Sequence, residues 1–200
     1  MFRAPKILQW LFPSRIWGIS VPNKTIFLTF DDGPDPEITP WLLDYLAQQD
    51  LKATFFCVGS NVVREPEIVA RMLSNGHAIA NHTMNHENES KVSSKDYLES
   101  IEDAAKIIDS NLVRPPYGRL SKSTEAKIPR KYNIVMWSWL SHDYNPKVSI
   151  AKIIQRAEKI KPGDILVFHD NKKTEKRLKE LLPPIIQGLK SKGFQFEVIK

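Results

Sequence analysis

Apolar residues along the chain fall into short runs separated by stretches of helical spacing. Seven runs predict strands: Thr25–Phe30, Ala53–Val58, Ala78–Asn81, Leu112–Arg114, Asn133–Trp139, Asp164–Phe168 and Phe194–Ile199. Between them, Trp41, Leu42, Tyr45 and Leu46 recur at helical intervals behind Thr39-Pro40, a cap followed by a first-turn proline. Pro66–Ser74 predicts another helix, closed by Asn75-Gly76. Asp96–Asp109 places Tyr97, Ile101, Ala105 and Ile108 on one face, and Ser149–Ile160 ends at Lys161-Pro162-Gly163. Thr174–Lys192 predicts a long helix kinked at Pro183-Pro184. Strands alternating with helices imply α/β architecture: a parallel sheet covered by helices, open or closed into a barrel.

In either architecture ligands bind beyond the carboxyl ends of the strands. The residues following the runs are therefore read together: Asp31-Asp32, Gly59, His82 to His86, Arg114-Pro115-Pro116-Tyr117, Ser141-His142-Asp143 and His169-Asp170. Nearly all the reactive chemistry of the chain is concentrated there.

Composition narrows the class. The chain has 200 residues, 42% hydrophobic and 26% charged, which suits one soluble domain with a substantial core. The single cysteine, Cys57, excludes an internal disulfide framework and reads as a buried thiol. A net charge of +6 could suggest an anionic partner, but Lys and Arg are scattered, so no nucleic-acid partner is expected. Residues 1–24 read as a packing extension before a catalytic domain at 25–200. The apolar run Ile7–Phe12 is too short to span a bilayer and no cleavage site follows it, so the default location is cytoplasmic. Membrane contact through residues 1–17 is the lesser expectation.

Two adjacent aspartates at the end of an apolar strand repel each other and need a reason to be there. His82 and His86 lie four residues apart, a spacing that on a helix would let both bind one metal. Two histidines and one aspartate of the pair form a three-ligand set that leaves a position open for water. The other aspartate is then free to take a proton. Adjacent residues of a strand point to opposite faces, so both serve one site only where Gly33-Pro34 ends the strand. After two prolines, Tyr117 offers the first backbone N–H, suited to an oxyanion. Arg114, held extended before Pro115, can reach a site carboxylate. His169, at the end of another strand, suits a general acid. Trp137 and Trp139 share a strand face and read first as core, with sugar stacking by them and by Tyr144 the alternative. His77 and His142 carry no assigned role.

These segments resemble the NodB-type polysaccharide deacetylases, a family of metal-dependent carbohydrate esterases, from about Thr25 to Ile199. Thr29-Phe30-Asp31-Asp32-Gly33-Pro34 matches the first family motif, His82-Thr83-Met84-Asn85-His86 the second and Arg114-Pro115-Pro116-Tyr117 the third. The resemblance implies a distorted seven-stranded (β/α) barrel in a single domain. It implies Asp31 as general base, Asp32, His82 and His86 as ligands of one divalent ion (zinc is expected), the Tyr117 N–H as oxyanion donor and His169 as general acid. It implies hydrolysis of an N-acetyl, or an O-acetyl, group on a carbohydrate with release of acetate. In the fourth motif Asp143 is kept and is expected to pair with Arg114, orienting Asp31. Leu140 and Tyr144 depart from the family's aspartate and tryptophan there, and Val167 replaces the usual leucine before His169. The runner-up readings are hydrolysis of a non-sugar amide at the same site, and a carbohydrate-binding relative without catalysis.

Overall fold

The computed structural model describes residues 2–200. In chain order the elements are α1 (Lys6–Leu11), β1 (Thr25–Asp31), α2 (Thr39–Gln48), β2 (Thr54–Cys57), α3 (Gly59–Arg64), α4 (Pro66–Ser74), β3 (Ala78–Asn81), α5 (Ser94–Ala105), β4 (Leu112–Val113), α6 (Lys122–Glu125), β5 (Asn133–Ile134), β6 (Trp139–Leu140), α7 (Ile150–Ala157), β7 (Ile165–His169), α8 (Glu175–Ser191) and β8 (Gln195–Glu197). All strand pairs are parallel. The order across the curled sheet is β5-β4-β3-β2-β1-β7-β6, with β8 beside the first half of β1.

The expected run Asn133–Trp139 is divided into β5 and β6. Val135 still donates to Val113 beside β4, but Ser138 donates to Ile165 on β7, next to the far end of the path. One run thus changes partners midway and bridges both ends of the curled sheet, giving a distorted (β/α) barrel of one α/β domain. A stretch of seven apolar and polar residues cannot reveal that its two halves face different neighbours.

Every residue of β1 is buried, which is why it reads as a continuous run rather than an alternation. Ile26, Leu28 and Phe30 face outward into the main core, against Leu42, Leu43 and Leu46 of α2 and Leu178, Leu181, Leu182, Ile185, Ile186 and Leu189 of α8. That spacing is the apolar stripe of a helix lying on a sheet. The opposite face points inward. Phe27, Phe56, Ala80, Leu112, Val135 and Ile165, contributed by successive strands, plug the barrel floor. Thr29 and Asp31 follow Phe27 on this inner face at intervals of two, so the barrel axis turns polar toward its mouth.

Serine caps start α5 (Ser93 accepting from Asp96 N), α6 (Ser121 from Thr124 N) and α7 (Ser149 from Lys152 N). The helix α8 runs without a break through Pro183-Pro184, so those prolines do not end it. Near the N-terminus, Arg3 bridges to Trp139 and grips the Asp164 carboxylate through two bonds of 2.8 and 2.7 Å, while Ile16 bridges to Val135.

Candidate active site

Strand ends gather around a cleft of about 910 Å³ lined by Asp31, Asp32, His82, His86, Tyr117 and His169 among others. β1 stops at Asp31 because Asp32 takes a left-handed backbone, φ 81°, which turns its side chain into the same cleft. Gly33 follows because there is no room for a side chain: a Cβ there would lie 2.1 Å from an oxygen of the buried Asp170 carboxylate.

The two histidines do not share a helix. His82 directly follows β3, and the chain reaches His86 through a tight loop in which Thr83 and His86 both have positive φ, 64° and 58°. The loop is pinned from α5: Met84 N donates to Ser100 Oγ, and Ser100 Oγ to Glu87 Oε2 at 2.6 Å. Asn81 spans the other side, accepting from Thr83 N and donating to the Ile101 carbonyl. Left-handed non-glycine residues are costly and concentrate at functional sites; here Asp32, His86 and Tyr117 (φ 59°) all border one cleft, and Thr83 lies buried in the loop behind it.

His86 Nε2 lies 3.0 Å and His82 Nε2 3.5 Å from Asp32 Oδ1. One ligand atom from each of the three falls within 4.8 Å of the others, and no other such cluster occurs among the described residues. The set fits a divalent cation on its own chemistry. His82 Nδ1 is 2.7 Å from the Arg114 carbonyl, which only accepts, so Nδ1 carries a proton and Nε2 is the ring atom turned to the carboxylate. An imidazole so anchored through Nδ1 can, when neutral, offer its Nε2 lone pair to a cation shared with the Asp32 carboxylate. Burial pushes the Asp32 carboxyl upward, but hydrogen bonds from His82 and His86 and the charge of His169 outweigh it and hold it well below the usual carboxylate range.

Asp32 is also held from outside the predicted set. Asn171 Nδ2 donates to Asp32 Oδ2 at 2.7 Å, and Asn61 Nδ2 donates to its backbone carbonyl at 2.8 Å. The Asn171 amide cannot flip without loss, because its Oδ1 accepts from Lys173 N and Thr174 N. Sequence reasoning passed over both asparagines; Asn171, two residues beyond His169 at a strand end, was the one within reach of that argument.

Arg114 is fully buried in the barrel axis. Its Nη1 donates to Asp31 Oδ1 at 2.6 Å and to Thr29 Oγ1 at 2.7 Å, its Nε and Nη2 to the carbonyls of Val135 and Met136, and it lies 3.9 Å above the Phe56 ring. The expectation that it pairs with Asp143 is overturned. Asp143 belongs to His169: Oδ1 is 2.7 Å from His169 Nδ1, and Oδ2 accepts from His169 N at 2.8 Å. Register explains the exchange. Asp31 and His169 are aligned on adjacent strands, but Arg114 rises through the barrel interior beneath Asp31, whereas Asp143 leaves the end of β6 beside β7. Burial pulls His169 downward, yet the Asp143 charge and hydrogen bond, with Asp32 and Asp31 behind them, push it up to about 10. Asp170, buried beneath the turn, is pushed well above the carboxylate range by burial and accepts from Thr39 Oγ1.

Tyr117 packs its ring edge-on against His86, with centroids 4.7 Å apart. Trp139 is core, while Trp137 is half-buried and lines the cleft with Leu140, Tyr144 and Val167. His77 sits in the core, accepting from Ala53 N, with burial lowering it to about 4. His142 packs edge-on against Phe2. Cys57 is buried as expected.

A family model described as polysaccharide deacetylase matches residues 18–137. A peptidoglycan-N-acetylglucosamine deacetylase of Bacillus cereus is 35% identical over 194 residues, covering 92% of this chain and 90% of that protein. The peptidoglycan-N-acetylmuramic acid deacetylase PdaC of Bacillus subtilis is 32% identical over 89% of this chain, which spans only 38% of its length. Among solved structures, the peptidoglycan N-acetylglucosamine deacetylase Bc1960 superposes with a TM-score of 0.84 at 30% identity, covering 98% of this chain and 95% of that one. A family 4 carbohydrate esterase from Streptomyces lividans, in complex with acetate, matches at a TM-score of 0.75 and 30% identity over 89% of this chain and 94% of that one.

Proposed function

The chain belongs to the polysaccharide deacetylase family, and on that premise we propose that it hydrolyses N-acetyl groups on the amino sugars of a peptidoglycan-type glycan, with a divalent cation held by Asp32, His82 and His86. One observation carries the reading: the three-ligand group is flanked in one cleft by two separately held proton-transfer groups, Asp31 on Arg114 and His169 on Asp143. A binding site needs neither.

When bound, the cation supplies Lewis acidity and lowers the pKa of water at the site; zinc suits the two-histidine, one-carboxylate set with an open position. Arg114 occupies Asp31 Oδ1, which leaves Oδ2 to accept the proton of the attacking water. Thr29 and the two carbonyls keep the guanidinium from turning, so the base is aimed rather than merely present. Asp143 holds His169 through Nδ1, so Nε2–H is the proton available to the departing amine. At about 10, His169 is charged at neutral pH, the state a general acid needs. The Tyr117 N–H, first after two prolines and set by a left-handed residue, would steady the negative charge on the carbonyl oxygen. Trp137, Tyr117 and Tyr144 offer ring faces to a sugar, and the open cleft accommodates a chain rather than a monosaccharide alone. Residues 1–24 serve this domain as an N-terminal extension.

The test is acetate release from a panel of acetylated glycans: peptidoglycan fragments, chitin oligomers and acetylxylan, with and without chelator. Release from N-acetylated amino sugars, abolished by chelator and restored by Zn²⁺, is expected. Release only from O-acetyl esters, or undiminished release in chelator, would overturn the reading.

A further inference from the structure

The helix α1 buries none of its six residues, yet four of them are large and apolar: Ile7 is 63% exposed, Trp10 77%, Leu11 39% and Leu8 37%. It is not a frayed end. On one side Leu140 N donates to the Phe2 carbonyl and Ala4 N to Ser138, and Phe2 rests on Trp139. On the other, Phe12 packs against the cluster of Trp17 and Leu120, Trp17 Nε1 donates to the Phe12 carbonyl, and Ile16 joins Val135. Lys6–Leu11 is therefore a knob fastened to the barrel at both ends and held out into solvent. Contiguous apolar exposure of this kind marks a contact surface.

Its charge identifies the occupant. No acidic residue precedes Asp31 in the chain. Arg3 and Arg15 are neutralised by Asp164 and Glu125. The exposed cations around the knob are not: Lys6 lies in α1, Lys122 stands over the Phe12 ring, Arg156 over the Phe2 ring, and Lys159 adjoins Arg3, which donates to its carbonyl. Two acids stand near these cations outside any ion pair: Glu158, exposed beside Lys159 in the chain, and Glu89, partly buried and accepting from Ser121 and Thr124. Four side chains on a convex turn fall far short of the roughly 20–30 residues that each partner brings to a stable protein interface. Apolar side chains including a tryptophan, set within a ring of cations, match the interfacial layer of an anionic bilayer.

We propose that α1 docks the protein on an anionic lipid surface, with Ile7, Leu8, Trp10 and Leu11 among the headgroups and Lys6, Lys122, Arg156 and Lys159 against the lipid charge. The attachment is peripheral in kind: among the described residues no helix is long and apolar enough to cross a membrane.

The experiment is co-sedimentation with vesicles of phosphatidylglycerol and phosphatidylcholine against vesicles of phosphatidylcholine alone. Wild-type protein should partition onto the anionic vesicles about tenfold or more strongly, and added NaCl should weaken that binding. Ile7→Ser/Trp10→Ser should reduce partition at least about tenfold, and Lys6→Glu should reduce it severalfold, with the thermal midpoint of both variants unchanged. Equal partition onto neutral vesicles, failure of the wild type to bind anionic ones, or wild-type binding by the serine variant would overturn the proposal. So would a dimer in sedimentation velocity that the serine variant abolishes, because the knob would then face a second copy.

Discussion

Asp143→Asn probes the reassigned pair most directly, because the substitution keeps shape and removes charge. In the wild type the His169 imidazolium is held up by Asp143 first, then by Asp32 and Asp31, against a burial that pulls the other way. The rise from 6.5 to about 10 corresponds to a preference on the order of 5 kcal/mol for the charged form. A cation on Asp32 offsets that carboxylate's share, so the figure is an upper end. With position 143 neutral, the largest group opposing burial is gone and His169 falls toward the ordinary histidine value of about 6.5. The protonated fraction at pH 8 then falls from nearly all to about 3%, a loss of about 30-fold, and at pH 6 about three-quarters is regained. The assay is the initial rate of acetate release from pH 5.5 to 9.5. The wild type should hold its rate toward the alkaline end; the variant should show an alkaline limb near pH 6.5, with metal content unchanged. Stability should follow the same titration. Native His169 binds its proton more tightly than the unfolded chain does, so its contribution is full below about pH 6.5 and is lost as pH rises through about 10. The Asp143→Asn substitution should flatten that slope. A variant with the wild-type alkaline limb and the same fractional loss at every pH would refute the argument and leave Asp143 a purely structural buried group.

Asp31 and Asp32 should fail differently. Asp32→Asn should lose metal and activity together, whereas Asp31→Asn should retain stoichiometric metal while activity drops by about 10² to 10⁴, read by metal analysis beside the rate; the reverse pattern would exchange their roles. Asn171→Ala should weaken metal binding about 10- to 100-fold, the usual cost of removing a ligand's hydrogen-bond partner, measured by competition with a chromogenic chelator; an unchanged affinity would mean that Asn61 and the loop orient Asp32 unaided.

The sequence alone carried what depends on local backbone and on periodicity. Alternation of apolar runs with helical spacing pointed to a parallel α/β sheet, and reading the strand ends together brought Asp31, Asp32, His82, His86, Arg114, Asp143 and His169 to one mouth. The break at Gly33-Pro34 was legible too, because only a strand that ends there lets both aspartates turn inward. Partner choice was not legible. Asp143 and Arg114 both lie at the mouth end, and only strand order and register place Arg114 inside the barrel under Asp31 and Asp143 beside His169. The divided run Asn133–Trp139 escaped for the same reason, its two halves looking alike until their neighbours are known. The histidine spacing suggested a helix where the chain uses two left-handed residues, a conformation held by Ser100 and Asn81 from other elements. At the N-terminus, an apolar run reads as something to bury, and packing left Ile7, Leu8, Trp10 and Leu11 outside. Local propensity is written residue by residue; which side chains meet, and which face is left to solvent, follows from contacts between segments far apart in the chain, and those exist only once the barrel has closed.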